Sequence, residues 1–127
     1  MLILVVVTNL INAEDKYFYV MQIDVEDKKE NGKPWDIAGN APDIKVYING
    51  ELPQVIVPCK NSYRCKLLFI SQRSFWYLEI YDKDVLADDL IGKGNCSIYK
   101  SKCRLGRSVV HIEKRVLKKV STFNYKE

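Results

Sequence analysis

Short runs of β-branched and aromatic residues recur along the chain, and Gly, Pro, Asn or Asp closes most of them. The first residue types favour extended strands and the second favour turns, so the pattern predicts an all-β protein. Eight runs follow residue 13, at 17–25, 43–48, 54–57, 65–70, 74–81, 91–98, 108–112 and 115–123. The last run also has apolar residues near a helical period, but its β-branched and aromatic ending favours a strand. Eight short strands joined by turns predict one antiparallel β-sandwich in a chain of 127 residues.

The first 13 residues, MLILVVVTNLINA, are mostly apolar and end in small and polar residues. This pattern is typical of a short secretory signal peptide, although the run lacks a Lys or Arg at its start. A buried strand at 2–7 is the alternative. We expect a signal peptide over 1–13 and a folded domain over 14–127, in a secreted or periplasmic protein.

Four cysteines fall in two local pairs, Cys59 with Cys65 and Cys96 with Cys103, six and seven residues apart. Neither pair has the spacing of a zinc site and the chain has one histidine, so a structural zinc is disfavoured. In an oxidising compartment the simplest arrangement is a disulfide within each local pair. Other connectivities, and four reduced cysteines in the core, stay open from the sequence.

Four aspartates crowd into the stretch between Tyr81 and Leu90, although the chain as a whole carries a net charge of +4. They are Asp82, Asp84, Asp88 and Asp89. A second acidic loop, with Asp36 and Asp43, lies ahead of another predicted strand. If both loops lie at one end of the sandwich, five of these carboxylates converge, those of Asp36, Asp43, Asp82, Asp84 and Asp89. Such a cluster suits calcium because it takes about six to eight oxygen ligands. A solvated loop without a bound ion is the alternative.

Both acidic loops resemble those of C2 domains, a family of calcium-dependent membrane-binding β-sandwiches. The run D-x-x-G-x-x-P-D-x-x-V-x-I at 36–48 is similar to the first calcium loop of the family and the strand after it. The run W-Y-L-E-I-Y-D-K-D, continued by D-D-L-I-G, at 76–92 is similar to the third calcium loop. A charged insertion, DKKENGK at 27–33, lengthens the approach to the first loop. The resemblance implies an eight-stranded antiparallel C2-like β-sandwich, in the permuted form whose extra strand is C-terminal.

The resemblance also implies which residues bind Ca2+. The implied ligands are the carboxylates of Asp36, Asp43, Asp82, Asp84 and Asp89, with the backbone carbonyls of Ile37 and Lys83. Asp88 is adjacent to Asp89 and is expected either to substitute for it or to remain exposed to solvent. The apolar loop residues Trp35, Val85 and Leu86 are candidates for membrane contact. Packing of Trp35 against its own loop is the alternative for that residue.

The charge balance favours the same function. Without the five implied carboxylate ligands, the chain has 20 basic against 11 acidic residues, a balance of +9 that suits an anionic phospholipid surface. The basic residues are scattered and no recognition motif accompanies them, so nucleic acid is not an expected partner. We therefore predict a monomeric, non-enzymatic module for calcium-dependent peripheral attachment to anionic membranes. The alternatives are a secreted protein-interaction module in which calcium only rigidifies the loops and, with less support, a metal-dependent hydrolase.

Overall fold

The two sheets of the molecule contain eight strands, seen in a computed structural model that describes residues 16–36, 39–51 and 55–115. The strands are β1 (Tyr17–Val25), β2 (Ile44–Ile48), β3 (Val55–Cys59), β4 (Arg64–Ser71), β5 (Phe75–Asp82), β6 (Asp89–Ser97), β7 (Cys103–Leu105) and β8 (Ser108–Arg115). One sheet has the order β4-β1-β8-β7 and the other the order β3-β2-β5-β6. All neighbouring strands are antiparallel, which confirms the predicted eight-stranded all-β architecture. In the described ranges no helix is long and apolar enough to span a bilayer.

The core lies between the two sheets, because side chains alternate between the inner and outer face along β1, β4 and β5. Met21 and Ile23 from one sheet, and Leu78 and Ile80 from the other, have no exposed surface. Complete burial of one such side chain stabilises the fold by about 1.5–3 kcal/mol. The strict alternation of burial fixes the register, since a shift by one residue would turn the buried side chains of a strand outward.

Seven of the eight predicted runs coincide with strands, and β1 has the predicted bounds. The predicted strand at 115–123 lies outside the described residues except for Arg115, which ends β8. The predicted signal peptide at 1–13 also lies outside them. Strand β7 was not predicted, because three residues are too few to show an alternating pattern.

Two disulfides join the sheets, Cys59 to Cys65 and Cys96 to Cys103, with Cα–Cα distances of 5.8 and 5.6 Å. They confirm the predicted local pairing. Cys59 is in β3 and Cys65 in β4, so the first disulfide links edge strands of opposite sheets on one side of the sandwich. The second disulfide links β6 to β7 on the other side. Each side of the sandwich is therefore closed covalently, and two disulfides indicate an oxidising compartment.

Candidate metal site

The two acidic loops share one end of the sandwich, because strand pairing places their first and last residues side by side. Ile44 pairs with Asp82 in the β2–β5 ladder, and Asp82 pairs with Asp89 in the β5–β6 ladder. Asp43 precedes Ile44 directly. Three of the predicted ligands, Asp43, Asp82 and Asp89, therefore lie at the ends of adjacent strands, on the same side of the second sheet.

Asp82 is the centre of this group and is only 6 % exposed. Its Oδ1 accepts a hydrogen bond of 3.0 Å from the backbone N–H of Asp43, whereas its Oδ2 has no hydrogen-bond partner in the described part of the chain. The pKa of Asp82 is raised to about 6, chiefly by burial. The hydrogen bond from Asp43 opposes this shift, and repulsion from the charges of Asp43, Asp89 and Asp84 adds to it. An ionised Asp82 is thus unfavourable here unless a cation lies near it.

Asp43 is held in place by the short segment between β3 and β4. Its Oδ1 accepts a hydrogen bond of 2.8 Å from the backbone N–H of Asn61. The side chain of Asn61 in turn accepts a bond of 2.9 Å from the backbone N–H of Ala41, on the first acidic loop. Asn61 has a φ of +49°, a left-handed conformation that asparagine tolerates better than most residues. Asn61 is not among the predicted site residues, although an asparagine between two closely spaced cysteines was a usable signal.

The tip of the second acidic loop is stabilised by Asp88. Its Oδ1 accepts a bond of 3.0 Å from the backbone N–H of Asp84, and its Oδ2 pairs with the ammonium of Lys45 at 2.6 Å. The hydrogen bond from Lys45 holds the pKa of Asp88 below its usual range. Because both oxygens of Asp88 are engaged, we do not include it among the proposed ligands.

The side chains of the predicted ligands do not point towards one common position in this structure. Asp84 Oδ1 accepts a bond of 2.7 Å from the adjacent N–H of Val85, and Asp89 Oδ2 pairs with Lys29 at 2.9 Å. Asp36 is exposed, and its carbonyl closes a tight turn by accepting the N–H of Gly39 at 2.8 Å. Ile37 lies outside the described residues. In the part of the chain that the structure describes, no three His, Cys, Asp or Glu side chains already form a metal-binding group.

The three candidate membrane-contact residues differ in solvent exposure. Val85 and Leu86 protrude from the second acidic loop and are 97 % and 96 % exposed. Trp35 is instead 5 % exposed, and its indole N–H donates to the carbonyl of Glu26 at 2.7 Å. Trp35 thus packs at the base of its own loop, as the alternative for it proposed, and is not available to a membrane in this arrangement.

Comparison with known proteins gives structural matches only. No family model matches the chain, and neither does any curated protein. A solved structure of a C2 domain is 16 % identical over 80 % of this chain and 99 % of its own, with a TM-score of 0.48. A C2 domain protein from Ramazzottius varieornatus is 16 % identical over 79 % of this chain and 89 % of its own, with a TM-score of 0.42. A structure of extended-synaptotagmin 2 that contains two C2 domains matches with 12 % identity over 78 % of this chain and 40 % of its own, with a TM-score of 0.43. These matches are to C2 domains, the family that the two acidic loops resemble.

Proposed function

We propose that this chain is a calcium-binding module that attaches to anionic phospholipid membranes when its acidic loops hold Ca2+. The observation that carries the proposal is Asp82, a buried carboxylate with one oxygen unpartnered among the described residues and three other carboxylates acting on it. Burial and repulsion both oppose ionisation of Asp82, so the apo arrangement stores an unfavourable charge. A cation that binds carboxylate oxygens would stabilise the ionised form of Asp82.

The donor set fits a hard cation that prefers oxygen ligands. Asp43, Asp82 and Asp89 would hold it from adjacent strand ends, and Asp84 would join them by releasing the N–H of Val85. The carboxylate of Asp36 and the backbone carbonyls of Ile37 and Lys83 complete the proposed set. A bound calcium ion supplies positive charge that neutralises these carboxylates and can accept an oxygen from a lipid phosphate. The backbone N–H of Asn61 keeps the Asp43 carboxylate oriented throughout.

Membrane attachment would use two properties of the same end of the sandwich. Neutralising five carboxylates leaves 20 basic against 11 acidic residues, so the surface becomes strongly cationic. Val85 and Leu86 then project from the loop next to Asp84 and can enter the interface between headgroups and acyl chains. Attraction to anionic lipid and insertion of two apolar side chains act together, giving peripheral and reversible attachment.

The two disulfides support a location outside the reducing cytosol. We propose a secreted or periplasmic protein in which residues 1–13 are removed as a signal peptide and residues 14–127 form a monomeric domain.

A second candidate function is a protein-interaction module in which calcium only rigidifies the loops. One observation favours it: Leu68 and Ile70 on β4 are 59 % and 45 % exposed and pair with Val20 and Phe18 on β1. This apolar patch is on the outer face of the first sheet, away from the acidic loops, and membrane attachment leaves it unused. The third alternative, a metal-dependent hydrolase, would use the same acidic cluster, and no feature of the described residues favours it over a binding function.

Sedimentation with vesicles separates the two binding functions. The mature chain should pellet with phosphatidylserine-containing vesicles in calcium, and should stay in solution with neutral vesicles or with a chelator. The Asp82→Asn, Asp84→Asn double variant should not pellet under any of these conditions. Calcium-induced thermal stabilisation without any calcium-dependent pelleting would exclude membrane attachment and leave the interaction module. Absence of both effects would exclude the metal site itself.

A further inference from the structure

The charged insertion before the first acidic loop forms a small, well-defined hairpin. Lys28 and Pro34 form an isolated antiparallel bridge, and the N–H of Lys29 donates to the carbonyl of Lys33 at 2.8 Å. The N–H of Gly32 donates to the carbonyl of Lys29 at 2.9 Å, with Gly32 at a φ of +83° that suits glycine. The insertion therefore presents the side chain of Lys29 from a defined backbone position.

Both ends of this hairpin are anchored to the sandwich. Trp35 is buried at its end and donates its indole N–H to the carbonyl of Glu26 at 2.7 Å. Arg107, in the turn between β7 and β8, donates from Nε and Nη2 to the carbonyl of Lys28 at 3.2 and 3.1 Å. Arg107 also pairs with the carboxylate of Glu26 at 2.7 Å. These contacts hold the backbone of Lys29 beside the start of β6.

From this position Lys29 reaches one of the proposed ligands. Its ammonium lies 2.9 Å from Oδ2 of Asp89, and the two side chains are only 30 % and 42 % exposed. A second lysine at this end, Lys45, pairs with Asp88, whose oxygens stabilise the loop tip. Of these two lysines, Lys29 is thus the one whose partner is a carboxylate needed by the metal.

We propose that Lys29 is a built-in competitor for calcium at Asp89, and this inference rests on the proposed function. While the ammonium holds Oδ2 of Asp89, that oxygen is not available to a metal ion, so the ion pair must break before both oxygens of Asp89 can bind the ion. The cost of breaking the pair weakens calcium affinity. A groove of about 840 Å³, lined by Lys29, Asp89, Leu90, Lys93 and Arg107 among others, gives the displaced ammonium room to move.

Calorimetric titration with CaCl2 alone, at fixed ionic strength and without lipid, tests this role. Lys29→Met keeps the length of the side chain and removes its charge. Because exposed ion pairs are worth up to about 1 kcal/mol, the variant should bind calcium about two- to fivefold more tightly than the parent. Lys33→Met is the matched control, since Lys33 is on the same hairpin and has no ion pair among the described residues. It changes the net charge equally and should bind calcium like the parent.

Each outcome of the titration decides the inference. Tighter binding confined to Lys29→Met supports it, and Lys29→Arg should restore the affinity of the parent. Equal tightening in both Met variants would show a general charge effect and overturn the competitor role. Unchanged affinity in Lys29→Met, with clear calcium binding by the parent, would overturn it while leaving the proposed function intact. If no form of the chain binds calcium, the proposed function fails and the inference fails with it.

Discussion

The carboxylate of Asp82 accepts a hydrogen bond of 3.0 Å from the backbone N–H of Asp43, while the side-chain charge of Asp43 repels it. The backbone of Asp43 thus stabilises the ionised carboxylate of Asp82, whereas the side-chain charge of Asp43 destabilises it. Lys83 repeats the link in the other direction by donating its N–H to the carbonyl of Asp43 at 2.8 Å. Backbone N–H groups therefore join the two loops, and repulsion between their carboxylates opposes this. The stability of the arrangement should depend on pH and on bound cations.

Stability of the metal-free chain should rise as the pH falls from about 7 to about 4. The folded state raises the pKa of Asp82 to about 6 from an ordinary 3.8, so it binds the proton more tightly than the unfolded chain does. Protonation of Asp82 therefore contributes stability that is fully present below pH 3.8 and is lost as the pH rises through about 6. Thermal melts in chelator across this range measure the contribution.

The Asp82→Asn variant should lack this pH-dependent contribution. It should be more stable than the parent without calcium and less stable than the parent with calcium. Asparagine can still accept the N–H of Asp43, so without calcium at pH 7 the variant should melt a few degrees above the parent. With calcium at about a hundredfold above its dissociation constant, the parent should gain about 2.7 kcal/mol and the variant much less. A variant that is less stable than the parent in chelator would show that the Asp82 charge is not unfavourable.

The backbone conformation of Asn61 should contribute to the stability of the site. Asn61→Gly and Asn61→Ala both remove the acceptor for Ala41, but alanine is unfavourable at a φ of +49° by about 1–2 kcal/mol. Denaturant unfolding should therefore find the alanine variant less stable than the glycine variant by about 1 kcal/mol. Its calcium affinity should also be lower, because the N–H that orients Asp43 is displaced. Equal stability of the two variants would mean that the left-handed turn is not required.

The apolar loop tip should control membrane affinity without affecting calcium affinity. A Val85→Ser, Leu86→Ser double variant should bind anionic vesicles about tenfold more weakly or worse, since two apolar side chains lose their burial in lipid. Its calcium titration in solution should match that of the parent. Tyr99→Ser is the control, because Tyr99 is 81 % exposed in the turn after β6, at the opposite end of the sandwich. An equal loss of vesicle binding in the control would point to general surface apolarity instead of loop insertion.

The two disulfides should contribute similarly to stability but differently to calcium binding. Each closes a ring of similar size, with sequence separations of 6 and 7, so replacing either pair by serine should cost roughly 2 kcal/mol of unfolding free energy. Only the Cys59–Cys65 ring contains Asn61 and its hydrogen bond to Asp43. Removal of this pair should weaken calcium binding severalfold, whereas removal of Cys96–Cys103 should not. Calorimetry on both double variants, at a temperature where each is folded, compares them.

The parts of the fold that were predictable from sequence are those carried by local patterns. In β1 the apolar residues run continuously from Tyr17 to Met21 and recur at Ile23 and Val25, and the strand in the structure has the predicted bounds. The short spacing within each cysteine pair likewise favoured the observed pairing. In β7 there are three residues from Cys103 to Leu105, and a strand of that length is recognisable only from its pairing with β8.

The placement of the carboxylates at strand ends was predictable, but their partners were not. Lys45 and Asp88 are 43 residues apart in sequence, and the sequence of a strand does not show whether solvent or a carboxylate surrounds an outward-facing lysine. Lys29 was hidden in the insertion for the same reason. The sequence allowed Trp35 either to contact a membrane or to pack against its own loop. The hydrogen bond of its indole to the carbonyl of Glu26, nine residues away, was not visible in the sequence. Such contacts are set by tertiary packing and leave no periodic pattern in the sequence.

The two disulfides also bear on the order in which the chain can assemble. Each links strands that follow one another directly, β3 with β4 and β6 with β7, at a corner where the chain crosses from one sheet to the other. Closing so short a loop costs little entropy, so neither bond has to wait for distant segments. During synthesis from the N-terminus, the first corner can be locked before β5 exists and the second before β8 completes its sheet. We expect trapped oxidation intermediates to carry these two bonds and few others, because the topology is fixed corner by corner as the chain emerges.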